Sequence, residues 1–280
     1  MFSDASQRLL EEKAGRPFPA FGSDELIAAL DADGIERAAV LSVAYFFAAE
    51  RPDAQKHDAE AVSLENDWVG SQVERYHERL VGFCSVNPLD ETATDEVLRC
   101  GATGTFVGLK LHLANSDVDL RSHADLDAVA AVFAAAQEVG FAVVIHMRTR
   151  RPDYGRIDAE RFAHHVLQPA DPTSLQIAHL GGWGGYDDAT DAAFGALIEH
   201  TTGDVRYDVS AVVFQQPRLS QLRLSRLRER ITTAGVDRII FGTDWPEWTP
   251  GRYVEDLQAN GFTSDELKAM YTNLAPWIAR

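Results

Sequence analysis

Cysteine is nearly missing: only Cys84 and Cys100 occur in 280 residues, far apart and in no CxxC pair. That excludes a disulfide scaffold and a cysteine-built zinc site, and it suits a reduced, cytoplasmic setting. Positive charge is scarce too, with 26 Lys and Arg against 43 Asp and Glu and a net −17. Nucleic acid and anionic membrane surfaces both require a basic patch, so neither is expected as a partner. The longest near-continuous apolar stretch, Ala38 to Ala49, falls short of the roughly 18 residues a membrane helix needs. Met1 to Glu12 carries Asp4, Glu11 and Glu12 and lacks the apolar core of a signal peptide. No Pro/Gly/Ser-rich linker and no low-complexity segment divides the chain. A single domain over residues 1–280 is expected, with an irregular N-terminal segment over 1–23.

What the chain does have is a repeated theme: a short apolar run followed by a longer helical pattern. Seven such runs occur, at Ala38–Val43, Leu80–Val86, Phe106–Leu111, Phe141–Ile145, Leu175–Ala178, Val205–Val209 and Arg238–Phe241. Runs of this kind suit strands of a parallel sheet buried on both faces. Helical periodicity fills the intervals, as in Leu126–Val139, Asp187–Thr201 and Leu219–Ala234. Strand–helix alternation predicts right-handed βαβ units. Polar residues closing successive strands, His112, His146, His179, Asp208 and Asp244, are spaced 34, 33, 29 and 36 apart, about one βα unit each. The expected fold is therefore α/β, a (β/α)8 TIM-barrel-like domain. Eight strands close such a barrel, and only seven can be found. Helical Asp24–Ala32 precedes the first of them, and Met1–Ser23 contains no four-residue apolar run. The first strand is expected to be missing or atypical.

In a parallel barrel the reacting residues come from the carboxyl ends of the strands. Strand alternation puts His146 with Val144 and Ala142, His179 with Ile177, Asp244 with Gly242 and Ile240, and Lys110 with Gly108 and His112. Facing inward, they would gather Lys110, His112, His146, His179 and Asp244 at one mouth. A single His ending a strand is usually a hydrogen-bonded structural residue. Several imidazoles, a Lys and an Asp in phase over four strands point to a site, against the blander reading of a polar plug over the barrel. Such donors suit a divalent transition metal, zinc or manganese, that activates water, with Asp244 and His179 moving protons.

Gly108-Leu109-Lys110-Leu111-His112, Val144-Ile145-His146, Ile177-Ala178-His179-Leu180-Gly181-Gly182 and Phe241-Gly242-Thr243-Asp244-Trp245-Pro246 together resemble the strand-end motifs of the amidohydrolase-related metal-dependent hydrolases. That branch of the amidohydrolase superfamily also holds decarboxylases and lactonases. The resemblance runs from about Asp24 to the end, where Asn273-Leu274-Ala275 is similar to the family's closing helix. It implies that His146 and Asp244 are metal ligands, that His179 is a ligand or a base, and that Asp244 shuttles the proton. Lys110 falls where some superfamily members carry a carboxylated lysine, so here it is a ligand or a substrate contact. One departure stands out. The family opens with a His-x-His pair on its first strand, and this chain has no His before His57. Either the chain is a shortened form or this member has lost that strand, and weak metal binding is expected in both cases.

Two loops are candidates for shaping a pocket. Arg148, Arg150, Arg151 and Arg156 follow His146 and could meet a carboxylate, or could simply be salt-bridged. Gly181 to Tyr186 offers Trp183 and Tyr186 as substrate contacts, and Trp245 is either packing or pocket. His164 and His165 sit on a helix about 100° apart and make no chelate. His57, His77, His123 and His200 read as surface. The leading expectation is a metal-dependent hydrolase acting on a small carboxylated substrate. The alternatives are a decarboxylase on the same site, a metal-free Schiff-base lyase using Lys110, and a non-catalytic barrel. A homodimer is one expected assembly.

Overall fold

The computed structural model describes residues 1–18, 21–47, 59–170, 174–201 and 203–279. In chain order the elements are α1 (Asp4–Ala14), α2 (Ser23–Ala32), β1 (Ala38–Leu41), α3 (Ala59–Glu74), β2 (Leu80–Ser85), α4 (Ala93–Thr103), β3 (Phe106–His112), α5 (His123–Glu138) and β4 (Ala142–His146). There follow α6 (Arg156–Phe162), the short turn α7 (Gln168–Ala170), β5 (Leu175–Ile177), α8 (Asp188–His200), β6 (Val205–Asp208), α9 (Gln221–Ala234), β7 (Ile239–Ile240), α10 (Pro250–Ala259) and α11 (Ser264–Thr272). All seven strands lie in one sheet, in sequence order and parallel throughout. The sheet curls into a barrel that lacks one strand, with β1 and β7 as its two edges. No helix among the described residues is long and apolar enough to cross a membrane.

Two apolar layers follow from strand alternation. Leu109, Leu111, Val143, Ile145 and Ile177 belong to the large core shared with the surrounding helices. Phe83, Ala142, Val144 and Ile240 form a smaller cluster inside the barrel, together with Trp277. Strict alternation would put Val107 on the helix side with Leu109 and Leu111, yet it packs on the inner cluster. The cause is a register shift at Gly82/Phe83, which turns the start of β3 by one position. Gly108 is required there: a Cβ would come within 2.2 Å of the Phe83 ring and 2.5 Å of the Ala142 carbonyl oxygen.

The N-terminal segment is not irregular. Helix α1 starts at Ser3, whose hydroxyl accepts from the Ser6 N–H at 3.2 Å, and ends at Gly15 in the left-handed region. The apolar residues of this helix are dispersed along an amphipathic pattern and form no continuous run. Phe2 then bridges to Phe21, and Phe21 packs on Trp245 with ring centroids 4.6 Å apart. This segment therefore lies over the open edge of the barrel, beside Asp244.

The C-terminal segment closes the lower part of the same opening. The Phe241 N–H donates to the Met270 carbonyl at 3.3 Å, and Asn273 Nδ2 donates to the Ile239 carbonyl at 2.8 Å. Backbone groups of β7 that would pair with a further strand are thus satisfied from α11 and the residue after it. Trp277 reaches into the barrel against Phe83, and Arg37 donates to the Ile278 carbonyl.

Candidate active site

Register brings the first two imidazoles together. His112 and His146 are partners across β3 and β4, so they leave neighbouring strands on the same face. Their rings stack, centroids 3.9 Å apart and 11° from parallel. Asn115 holds His112, its N–H on Nδ1 at 3.2 Å and its amide nitrogen 3.1 Å from Nε2. Tyr45 packs on the His112 ring at 5.2 Å, and Trp183 stands edge-on to His146 at 5.5 Å.

His179 arrives by a different route. Strand β5 ends at Ile177, which faces the helices, while Gln176 faces the cavity. The chain then turns through His179 and Leu180, both at φ 56, and this turn swings the imidazole inward. It is fixed from the end of β6. Asp208 Oδ1 accepts from the His179 N–H at 3.0 Å, the Ser210 N–H at 3.1 Å and the Ser210 hydroxyl at 2.5 Å. His179 Nδ1 lies 2.8 Å from the Ser210 carbonyl oxygen and 2.9 Å from its hydroxyl. A proton on Nδ1 donates to that carbonyl, which leaves Nε2 for chemistry. The His179 ring centroid lies 5.1 Å from that of His146.

Lys110, His112, His146, His179, Trp183, Asp244 and Trp245 all line one cavity of about 660 Å³. Arg148 and Tyr186 do not. Arg148 is tied to Asp187 at 2.8 Å, and Tyr186 is buried with its hydroxyl on Asp191 at 2.7 Å. The other loop arginines are likewise paired: Arg150 with Asp117 at 3.1 Å, Arg151 with Asp119 at 3.0 Å, and Arg156 with Glu160 at 2.7 Å. The loop is a salt-bridged surface in an acidic protein. His164 and His165 take separate partners, Gln168 and Asp127, while His57 lies outside the described residues.

Burial sets the charges. It drives the Lys110 ammonium down to about 8, against the opposing pull of Asp244 and Asp208. Burial also holds His146 well below its ordinary value, with His112, His179 and Lys110 adding repulsion, so the ring is neutral at pH 7. Tyr45 is pushed up by burial and by the Asp244 charge. Asp244 itself stands at the exposed rim, in the left-handed region at φ 57.

The sequence reading named Asp208 as a strand end but gave it no role. Its spacing was the available signal. Ser210, Gln176, Tyr45 and Asn115 had none, since they lie in turns or below the strand ends.

His146 Nε2 is buried with no hydrogen-bond partner among the described residues, as a metal donor would be. One donor is not a site. The described residues contain no group of three or more His, Cys, Asp or Glu side chains able to hold a metal ion. As placed, with Asp244 at the rim and His179 Nδ1 turned to Ser210, the residues do not fit a closed metal centre.

The family model for the amidohydrolases matches residues 10–273. The chain belongs to the amidohydrolase family. Solved structures with the same fold include 5-carboxyvanillate decarboxylase from Sphingomonas paucimobilis, at 20% identity and TM-score 0.61, covering 95% of this chain and 83% of that one. Another is the Novosphingobium aromaticivorans 5-carboxyvanillate decarboxylase with manganese and 4-hydroxy-3-methoxy-5-nitrobenzoic acid, at 17% and 0.63, covering 99% and 84%. A third is the dihydroxybenzoic acid decarboxylase of Polaromonas sp. JS666 with manganese and 2-nitroresorcinol, at 16% and 0.58, covering 89% and 83%. No curated protein matches the chain by sequence.

Proposed function

We propose that this amidohydrolase-family chain is a decarboxylase of a small hydroxylated aromatic acid, in preference to the hydrolase its motifs first suggest. The observation that carries this reading is one cavity holding a buried Lys110, a neutral His146 and an anchored His179, with Asp244 at its rim. The fold's likeness to decarboxylases of hydroxybenzoates and carboxyvanillate supports it.

Lys110 binds the anionic substrate through its ammonium group. His179, its Nδ1 held on the Ser210 carbonyl, acts as general acid and gives a proton from Nε2 to the ring carbon that bears the carboxylate, helped by electron release from the substrate hydroxyl. The carbon–carbon bond then breaks, its electron pair restores the aromatic ring, and CO2 leaves. Asp244, in contact with solvent, returns a proton to His179. The neutral, desolvated wall of His146 and Trp183 favours loss of the charged carboxylate.

The test is CO2 release from 2,6-dihydroxybenzoate and 5-carboxyvanillate, with and without added manganese, beside a panel of amide and lactone substrates. Decarboxylation lost in His179→Asn supports the reading. Hydrolysis without decarboxylation overturns it. A second reading draws on the depressed Lys110 ammonium: a neutral amine adds to a substrate carbonyl, expels water and forms a Schiff base. Borohydride reduction would leave a stable adduct on Lys110 in that case alone.

A further inference from the structure

The loop after β5 is fastened at both ends and free at its tip. At its start the Tyr154 hydroxyl donates to the Gly181 carbonyl at 2.6 Å, and the Gly182 N–H donates to the His179 carbonyl at 2.9 Å. At its far end the Gly185 N–H donates to the Ala211 carbonyl at 2.7 Å, and Tyr186 is held by Asp191 and Arg223. Between these anchors, Trp183 and Gly184 make no hydrogen bond to any described residue. Of residues 181–186, only these two line the cavity. The indole is 53% exposed, and it stands 89° from the His112 plane and 81° from that of His146. Its centroid is 6.4 Å from the first ring and 5.5 Å from the second. A ring over the free face of His146 would lie much farther from His112, so the indole sits beside the edges of the stacked pair. It stacks on no ring among the described residues. A single exposed tryptophan is ordinary on a protein surface. One on an unfastened tip at the mouth of the site is placed to touch whatever enters.

We propose that Trp183 is a closing aromatic platform. The Trp183–Gly184 tip swings onto the substrate, the indole face covers its ring, and planar acids are selected over puckered ones of equal charge and similar size. This rests on the reading that Lys110 holds a carboxylate-bearing head. Gly184 supplies the hinge. It sits in the left-handed region at φ 66, and the Phe214 ring is the one neighbour in reach, 4.0 Å from where a Cβ would stand. A flat ring meets an indole face over its whole area, whereas the axial hydrogens of a saturated ring hold it off. A cation would also seek an indole face, and Asp244 at the rim would draw it. The buried Lys110 ammonium in the same cavity repels it, so an anionic ring is the better occupant.

The test measures binding, so it is separate from turnover. Benzoate, cyclohexanecarboxylate and benzylamine are titrated against the intact chain at neutral pH. Benzoate should bind about three- to tenfold more tightly than cyclohexanecarboxylate, the worth of one ring–ring contact. Trp183→Ala should abolish that preference and Trp183→Phe should keep most of it, with the melting temperature held in both. Closing is read by fluorine NMR on the chain labelled with fluorotryptophan. The Trp183 signal, identified by its loss in Trp183→Phe, should shift and sharpen when benzoate is added. The fluorine signal decides the matter if Trp183→Ala fails to fold. Equal affinity for the two acids, binding of neither, or a preference that survives in Trp183→Ala would each overturn the inference. So would a Trp183 signal unmoved by benzoate, or benzylamine binding more tightly than benzoate. Absent decarboxylation with the planar preference intact sinks only the reaction, whereas equal affinities in an active decarboxylase sink the platform alone.

Discussion

Lys110 carries a cost that can be measured. Its ammonium is buried at the centre of the barrel, and burial lowers it from 10.5 to about 8. That drop corresponds to about 3 kcal/mol of lost folding stability, on the order of a fifth to a half of what a domain has. The sign follows from proton counts. Below pH 8 both folded and unfolded chains hold the proton, and the full cost is present. Between pH 8 and 10.5 the unfolded chain binds the proton more tightly, so stability rises with pH, and above 10.5 the cost is gone. Lys110→Met keeps a similar volume and removes the charge. At pH 7 it should stabilise the fold by about 2–3 kcal/mol, a rise of roughly 5–10 °C in melting temperature for a chain of this size. The assay is a pair of urea or thermal melts for both proteins at pH 7 and pH 10.5. The gap between variant and parent should shrink at the higher pH. A variant less stable at pH 7, or an equal gap at both, refutes a desolvated ammonium. Activity should vanish in the same variant, since a binding site is kept at the expense of stability.

Asp208→Ala removes the acceptor that fixes both the His179 and Ser210 amides; turnover should drop about a hundredfold with little change in substrate affinity, read as kcat against KM. Asn66→Leu strips the buried Ser85 amide and carbonyl and Glu96 of their partner, at 3.0, 3.0 and 2.7 Å, and should cost about 2–4 kcal/mol in denaturant melts. Gly108→Ala forces a methyl into the Phe83 ring and the Ala142 carbonyl, and should cost at least about 1–3 kcal/mol, measured the same way.

Much of the fold was legible because its strands are short, apolar and evenly spaced. The helices at Leu126–Val139, Asp187–Thr201 and Leu219–Ala234 end within about three residues of α5, α8 and α9, where Ser122, Asp187 and Ser220 cap the first turns. His112 and His146 were legible for the same reason: alternation on a regular strand fixes their face. His179 was placed in the cavity by an argument that does not hold. Phase put it with Ile177, but Ile177 faces the helices, and the turn after β5 does the work. Arg148 and Tyr186 were misplaced because a loop has no period to read. Their true partners, Asp187 and Asp191, lie on and before α8, a relation that only the folded chain reveals.

The failures of simple alternation fall where the chemistry is. His179, Leu180, Ala211 and Asp244 all hold left-handed backbone angles without being glycine, at φ 52 to 57. Each such residue costs about 1–2 kcal/mol, and four in the turns after β5, β6 and β7 are not accidental damage. A straight continuation of β5 would send residue 179 toward the helices, as it does Ile177. The left-handed step reverses that direction within two residues and brings Nε2 to the cavity side, while Asp208 offsets the strain with three hydrogen bonds to its neighbours. Asp244 uses the same step at the end of β7, where it sets a carboxylate at the rim, in contact with both solvent and the field of Lys110. Strand order brings the residues to one end of the barrel, and these strained turns decide which of them face the cavity.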